Sequence, residues 1–168
     1  SAASDVYKRQ LKNLQIINNQ SLLNRTIKAA LNSKYVEHVF VSSDSDEILT
    51  HAFLCGAETI KRGDDLSNDT ASTDPVLTHG LIEIENKLGK IDYLTLLQCT
   101  SVFTSSEEID FVFEGLLENQ SQHDAAFASS ESHSFIWSYD HIKKSSFGVN
   151  HNHELPRKRR QDLSTKQY

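Results

Sequence analysis

The strongest constraint on the fold is an alternation of two hydrophobic periods along the chain. Residues 21–33 (SLLNRTIKAALNS) put Leu22, Leu23, Ile27, Ala30 and Leu31 at helical spacing, leaving one stripe to bury. Residues 36–41 (VEHVFV) are short and β-branched, and they run into Ser42-Ser43-Asp44. A buried sheet strand entering a site ends in small polar groups of this kind. Residues 45–55 (SDEILTHAFLC) open with acidic residues and stop before Gly56, which are helix start and stop signals. Residues 58–61 read as a second short strand. The stretch 62–74 (RGDDLSNDTASTD) reads as a polar loop, and Pro75 suits the first turn of a helix running through Ile84. Residues 93–98 (YLTLLQ) form an apolar run that ends in Cys99-Thr100-Ser101. Ser105 and Ser106 with Glu107 and Glu108 then open a helix reaching Leu117. Residues 124–129 (DAAFAS) are the next strand, and 135–138 with 147–150 form two more, as a hairpin. This repeated helix–strand order predicts an α/β fold with a mostly parallel sheet and helices on both faces. In such sheets ligands bind at the carboxyl ends of the strands. Residues 42–44 and 98–101 both fall there.

Composition narrows the partners. A chain of 168 residues, 38% of them hydrophobic, is long enough for one domain with a sizeable core. A formal net charge of −6 argues against nucleic acid as a partner. Cys55 and Cys99 are far apart, which suits a reducing compartment and excludes a disulfide scaffold or a four-cysteine zinc site. No apolar run nears the roughly 18 residues of a membrane span. No signal peptide is visible, so membrane is excluded as a partner and the cytoplasm is the expected location. Residues 1–10 show neither an apolar period nor a cap, and read as a non-native or disordered leader, with a frayed terminus as the alternative. Residues 11–168 read as a partial domain, ending either at a truncation or at a domain boundary.

Three segments concentrate polar chemistry. The 62–74 loop carries one guanidinium, several hydroxyls and four carboxylates, and reads either as a base-recognising loop or as a solvated surface loop. Gln98, Thr100 and Ser101 either orient a polar ligand or cap the next helix, while Cys99 reads as a small buried residue. Residues 157–162 (RKRRQD) read as a nucleic-acid patch, an anion site or a solvated tail. His133, His151 and His153 lack partners at zinc-site spacing, which speaks against a metal. His79 reads as a packed or capping residue, and Trp137 as packing or, alternatively, a wall for a sugar. Asp44 and Asp46 read as helix caps ahead of a Mg²⁺ pair.

Taken in order, KNLQIINNQSLLNRTIKAAL, VFVSSDSDEI, IKRGDDLSNDTAST, LLQCTSVFTSSEEID, SFIW followed by GVNH, and RKRRQD resemble the acylneuraminate cytidylyltransferases, the CMP-sialic acid synthetase family. The resemblance covers about residues 11–168. It implies a three-layer α/β/α nucleotide-diphospho-sugar transferase (Rossmann-like) fold with a mostly parallel sheet. It implies an enzyme joining CTP to an acidic nine-carbon 2-keto sugar, with release of pyrophosphate and Mg²⁺ as cofactor. The sugar hydroxyl attacks the α-phosphate, and the protein positions reactants and neutralises charge. Residue by residue, Asn13, Arg62, Ala71, Ser72 and Thr73 fall on the nucleotide side. Gln98, Thr100, Ser101, Arg159, Arg160 and Gln161 fall on the sugar side, where Arg suits a carboxylate.

The chain also departs from the family pattern. Residues 1–10 carry no glycine where the family has a basic, glycine-rich triphosphate loop. Cys99, Val102 and Thr104 stand for the usual Pro, Pro and Arg, and Thr73 for a Ser. The family's acidic metal motif and dimer element would follow residue 168. Little or no activity is therefore expected of this chain alone, with a homodimer for the full-length protein. A non-catalytic nucleotide-binding or interaction module of the same fold is the alternative.

Overall fold

The computed structural model describes residues 12–67, 72–129, 131–132, 136–149, 155 and 166–167. The chain divides into two compact units, Ser1–Asp124 and Ala125–Tyr168.

The first unit opens with a 3-10 turn, Lys12–Leu14, and a hairpin of β1 (Ile16–Ile17) and β2 (Gln20–Ser21). Asn18 and Asn19 both take positive φ, 51° and 64°, as a tight two-residue hairpin turn requires. Ser21 then caps α1 (Leu22–Leu31), its hydroxyl accepting the Asn24 N–H at 3.0 Å. β3 (Phe40–Ser43) leads into α2 (Asp46–Leu54), capped by Ser45. Gly56, at φ 95°, turns the chain out of α2 in a conformation that costs any residue with a Cβ. β4 (Glu58–Lys61) follows and pairs parallel with β3, from Phe40↔Glu58 to Ser43↔Lys61. Leu23, Ile27, Ile48, Ala52 and Ala57 form the core cluster, with Leu14, Val39, Val41 and Cys99 packed against it. Burying a side chain such as Ile27 contributes about 1.5–3 kcal/mol.

Two more helices complete this unit. α3 (Thr73–Leu88) ends beside the start of β4, where Lys87 pairs with Glu58 and its Nζ lies 5.7 Å from the Phe40 ring centre. α4 (Ser106–Asn119) begins with a capping box between Ser105 and Glu108. The loop after α1 is latched to α4. Buried Asp110 accepts the Ser33 hydroxyl at 2.6 Å and the Lys34 N–H at 3.0 Å. Phe113 stacks on Tyr35 and meets Tyr93 edge-on, both at 4.9 Å between centroids. The Tyr35 hydroxyl donates to Glu114 at 3.1 Å, and that bond holds the phenol proton and raises the Tyr35 pKa.

In the second unit β5 (Glu131–Ser132) pairs antiparallel with β8 (Lys166–Gln167). β6 (Trp137–Asp140) pairs antiparallel with β7 (Ser145–Gly148). The Asp140 carboxylate closes the β6–β7 turn by accepting the N–H groups of Ile142 and Lys143. Trp137 is 53% exposed, so it is not the packed residue that the sequence suggests.

The helices stand where the periodicity puts them, to within a few residues; the sheet does not. A mostly parallel sheet is expected, and the described residues form one parallel pair and three antiparallel pairs. The first expected strand, 36–41, is displaced to Phe40–Ser43. Residues 93–98 and 124–129 form no strand; Leu94 and Leu96 are 43% and 49% exposed. An apolar run becomes a strand only when another strand satisfies its backbone groups, and no ladder partner meets these runs among the described residues.

Candidate functional site

β3 and β4 run side by side, so both strands deliver their last residues to the same edge. The ladder continues one step beyond β4, where the Arg62 N–H donates to the Ser43 carbonyl at 2.9 Å. Arg62 is thereby held at the strand end while its side chain projects onward. Its Nε is buried and has no hydrogen-bond partner among the described residues. From Gly63 the chain makes a 3-10 turn, Asp64–Leu66, tied by the Ser67 hydroxyl donating to the Gly63 carbonyl at 2.9 Å.

A cleft of about 300 Å³ opens at this edge. Arg62, Ser72, Thr73 and Gln98, four residues singled out in the sequence, line it together. They come from a strand end, a helix start and a segment more than twenty residues further on. Leu66, Val76 and Leu96 supply apolar wall, with Ser67 beside them. No sequence motif marks these four, although Leu66 and Ser67 lie in the polar loop and Leu96 in the apolar run. Val76, one turn into α3, is a signal that helical periodicity contains. Ser72 is the N-cap of α3, yet its side chain makes no capping hydrogen bond. Among the described residues its hydroxyl caps nothing, and it borders the cleft.

The other expected site residues stand apart from this cleft or outside the described residues. Asn13 is half-buried in the 3-10 turn before β1, next to core-packed Leu14. Thr100 and Ser101 are exposed in a turn closed by the Ser101 N–H on the Gln98 carbonyl, 3.0 Å, and neither lines the cleft. The α4 cap is Ser105. Ala71, Arg159, Arg160 and Gln161 lie outside the described residues, as do His133, His151 and His153. Cys99 packs against the core, and burial raises its pKa, which disfavours the thiolate.

The acidic pair needs a correction. Ser45, rather than Asp44 or Asp46, caps α2, accepting the Ile48 N–H. Asp46 instead binds Lys61 Nζ at 2.6 Å, and the same ammonium donates to the Asp44 carbonyl at 2.7 Å. A carboxylate neutralised by a lysine is a poor divalent-cation ligand, and among the described residues no group of three potential ligands comes together. These residues do not fit a Mg²⁺ site, and no step is assigned to one. Among them also, no helix is long and apolar enough to cross a membrane.

Comparison with known proteins bears on what such a cleft serves. The cytidylyltransferase family model matches residues 10–158. The chain belongs to the cytidylyltransferase family. It is 34% identical, over 111 residues, to the post-translational flagellin modification protein B of Campylobacter coli, covering 65% of this chain and 47% of that protein. It is 35% identical over 115 residues to a Helicobacter pylori protein named as a pseudaminic acid cytidylyltransferase and UDP-2,4-diacetamido-2,4,6-trideoxy-beta-L-altropyranose hydrolase, covering 67% and 22%. It is 28% identical over 127 residues to the N-acylneuraminate cytidylyltransferase A of Danio rerio, covering 76% and 28%. The chain spans less than half the length of each of these three relatives.

Proposed function

We propose that this chain carries the base-reading part of an enzyme that transfers CMP from CTP to a 2-keto acid sugar of the sialic acid type, releasing pyrophosphate. One observation carries the reading: Arg62, Ser72, Thr73 and Gln98, from separate segments, line one cleft. A volume of about 300 Å³ lies at the lower end for ligand sites, with room for a base but not for both substrates. Cytosine offers a carbonyl and a ring nitrogen as acceptors and an amino group as donor. The Arg62 guanidinium suits the acceptors, the hydroxyls of Ser72 and Thr73 and the Ala71 carbonyl suit the amino group, and Leu66, Val76 and Leu96 suit the ring faces. Asn13 belongs to the same proposal as a nucleotide contact.

The sugar side rests on the names of the relatives, which include acylneuraminate, pseudaminic acid and diacetyllegionaminic acid enzymes. Gln98, Thr100 and Ser101 would face this sugar, and Arg159, Arg160 and Gln161 its carboxylate. Mg²⁺ and a homodimer are the cofactor and assembly proposed from the resemblance, and a three-layer α/β/α arrangement is the proposed fold. In support of that fold, Val39 and Val41 pack toward α1 and α2, while Phe40 and Ile60 border a second cleft with α3.

Calorimetry with CTP and ATP tests base reading. Adenine lacks the carbonyl that Arg62 would bind, so CTP should bind about tenfold or more tightly, and Arg62→Ala should abolish the preference. Equal affinities, or no binding by the folded protein, would overturn it.

A further inference from the structure

Four buried polar side-chain atoms among the described residues lack hydrogen-bond partners: Arg25 Nε in α1, and Ser42 Oγ, Arg62 Nε and His79 Nδ1, which belong to β3, the end of β4 and α3. Strand register brings Ser42 and Arg62 together. Ser42 pairs with Ile60 across the parallel ladder, and Arg62 stands two residues beyond Ile60, so all three share a sheet face. Helix geometry brings His79. α3 runs along that face in the opposite sense to β4. Its start, at Ser72, Thr73 and Val76, borders the cleft at Arg62. Its end, at Glu83, Asn86 and Lys87, borders a second cleft with Phe40 and Ile60. Val76, His79 and Glu83 are one turn apart on one helix face, so His79, whose Nδ1 is buried, falls on the stretch of helix between the two clefts.

The chemistry of Ser42, Arg62 and His79 closes without remainder. Arg62 Nε–H only donates, a serine hydroxyl both donates and accepts, and His79 Nδ1 accepts in the Nε2–H tautomer. Each left unpaired costs about 1–3 kcal/mol. We propose that Ser42, Arg62 and His79 form one hydrogen-bonded chain beneath the cleft, running from Arg62 Nε–H to Ser42 Oγ and from Ser42 Oγ–H to His79 Nδ1, directly or through one water. Ser42 and His79 are then positioning residues for the guanidinium. Anchored at Nε, Arg62 turns its two terminal nitrogens to the cleft as a fixed fork, which is what a planar base edge needs. That consequence for a base rests on the nucleotide reading above; the hydrogen-bonded chain does not.

The test follows the Arg62 Nε–H by NMR in isotope-labelled protein without ligand. The expected signal is slow in exchange with water in the wild type. It loses protection in His79→Leu and in Ser42→Ala, and regains it in His79→Asn, whose amide oxygen stands where Nδ1 stood. If His79→Leu does not fold, His79→Gln, with its amide one methylene further out, takes its place and should also lose protection. Unchanged protection in the Leu (or Gln) and Ala variants, or an unprotected wild-type signal, overturns the proposal. CTP calorimetry on the same proteins separates the two readings. A protected Nε–H with no CTP binding sinks the nucleotide reading alone. CTP binding weakened about tenfold by His79→Leu, rescued by His79→Asn and without further effect on an Arg62→Ala background, is the expected result for both.

Discussion

Asp110 shows how one buried side chain can carry more structure than its sequence context suggests. It sits in an otherwise ordinary acidic helix start, yet it is 7% exposed and takes two hydrogen bonds from the loop after α1. Asp110→Ala leaves the Ser33 hydroxyl and the Lys34 N–H without their acceptor. A loss of about 1–3 kcal/mol is expected, read as a lower urea midpoint with an unchanged slope. A midpoint equal to that of the wild type would show that water replaces the carboxylate at no cost. Arg62 illustrates the converse. Its type and its polar loop are visible in the sequence, but the burial of its Nε is not, because that depends on α3, which begins eleven residues later.

Among the elements, β4 and α3 are joined by charge. Glu58 opens β4, and its carboxylate accepts from Lys87 near the end of α3 and lies 3.4 Å from His38 Nδ1. The Lys87 hydrogen bond, more than any other influence, lowers the Glu58 pKa. A carboxylate whose folded pKa is depressed stabilises the fold above its unfolded pKa, and that contribution disappears as pH falls through the folded value. Glu58→Gln should therefore lower the melting temperature at neutral pH. The gap to wild type should start to narrow as pH falls below the ordinary glutamate range and close only below the lowered folded value, where Glu58 is protonated, and it should shrink in high salt because the pair is partly exposed. A gap that persists in acid would mean that Glu58 acts through packing. The helices themselves were legible. Ser21, Ser45 and the Ser105–Glu108 box cap three of them, and Gly56 ends one, as local rules anticipate. The β1–β2 hairpin was not anticipated, although Asn18-Asn19 is its signal.

For the whole first unit, stability concentrates in the cluster around Ile27, which is 2% exposed between α1, α2 and Ala57. Ile27→Ala should cost about 2–5 kcal/mol, a large share of the 5–15 kcal/mol typical of a domain. Chemical denaturation should show it as an earlier transition of helix signal, and a shift equivalent to less than about 1 kcal/mol would place the main core elsewhere. The α1 share of the cluster is readable in the sequence because Leu23 and Ile27 follow helical spacing, a property of neighbouring residues. The polar loop and the sequence motifs likewise pointed to Arg62, Ser72, Thr73 and Gln98. Period, capping and turn chemistry act over three or four residues, so the chain carries them wherever it goes. Strand pairing and cavity walls need segments distant in sequence to meet, and their free energy appears only on meeting. For that reason the tertiary structure alone decided that residues 93–98 meet no strand among the described residues, that Thr100 and Ser101 stand away from the cleft, and that Leu66, Val76 and Leu96 wall it beside Arg62.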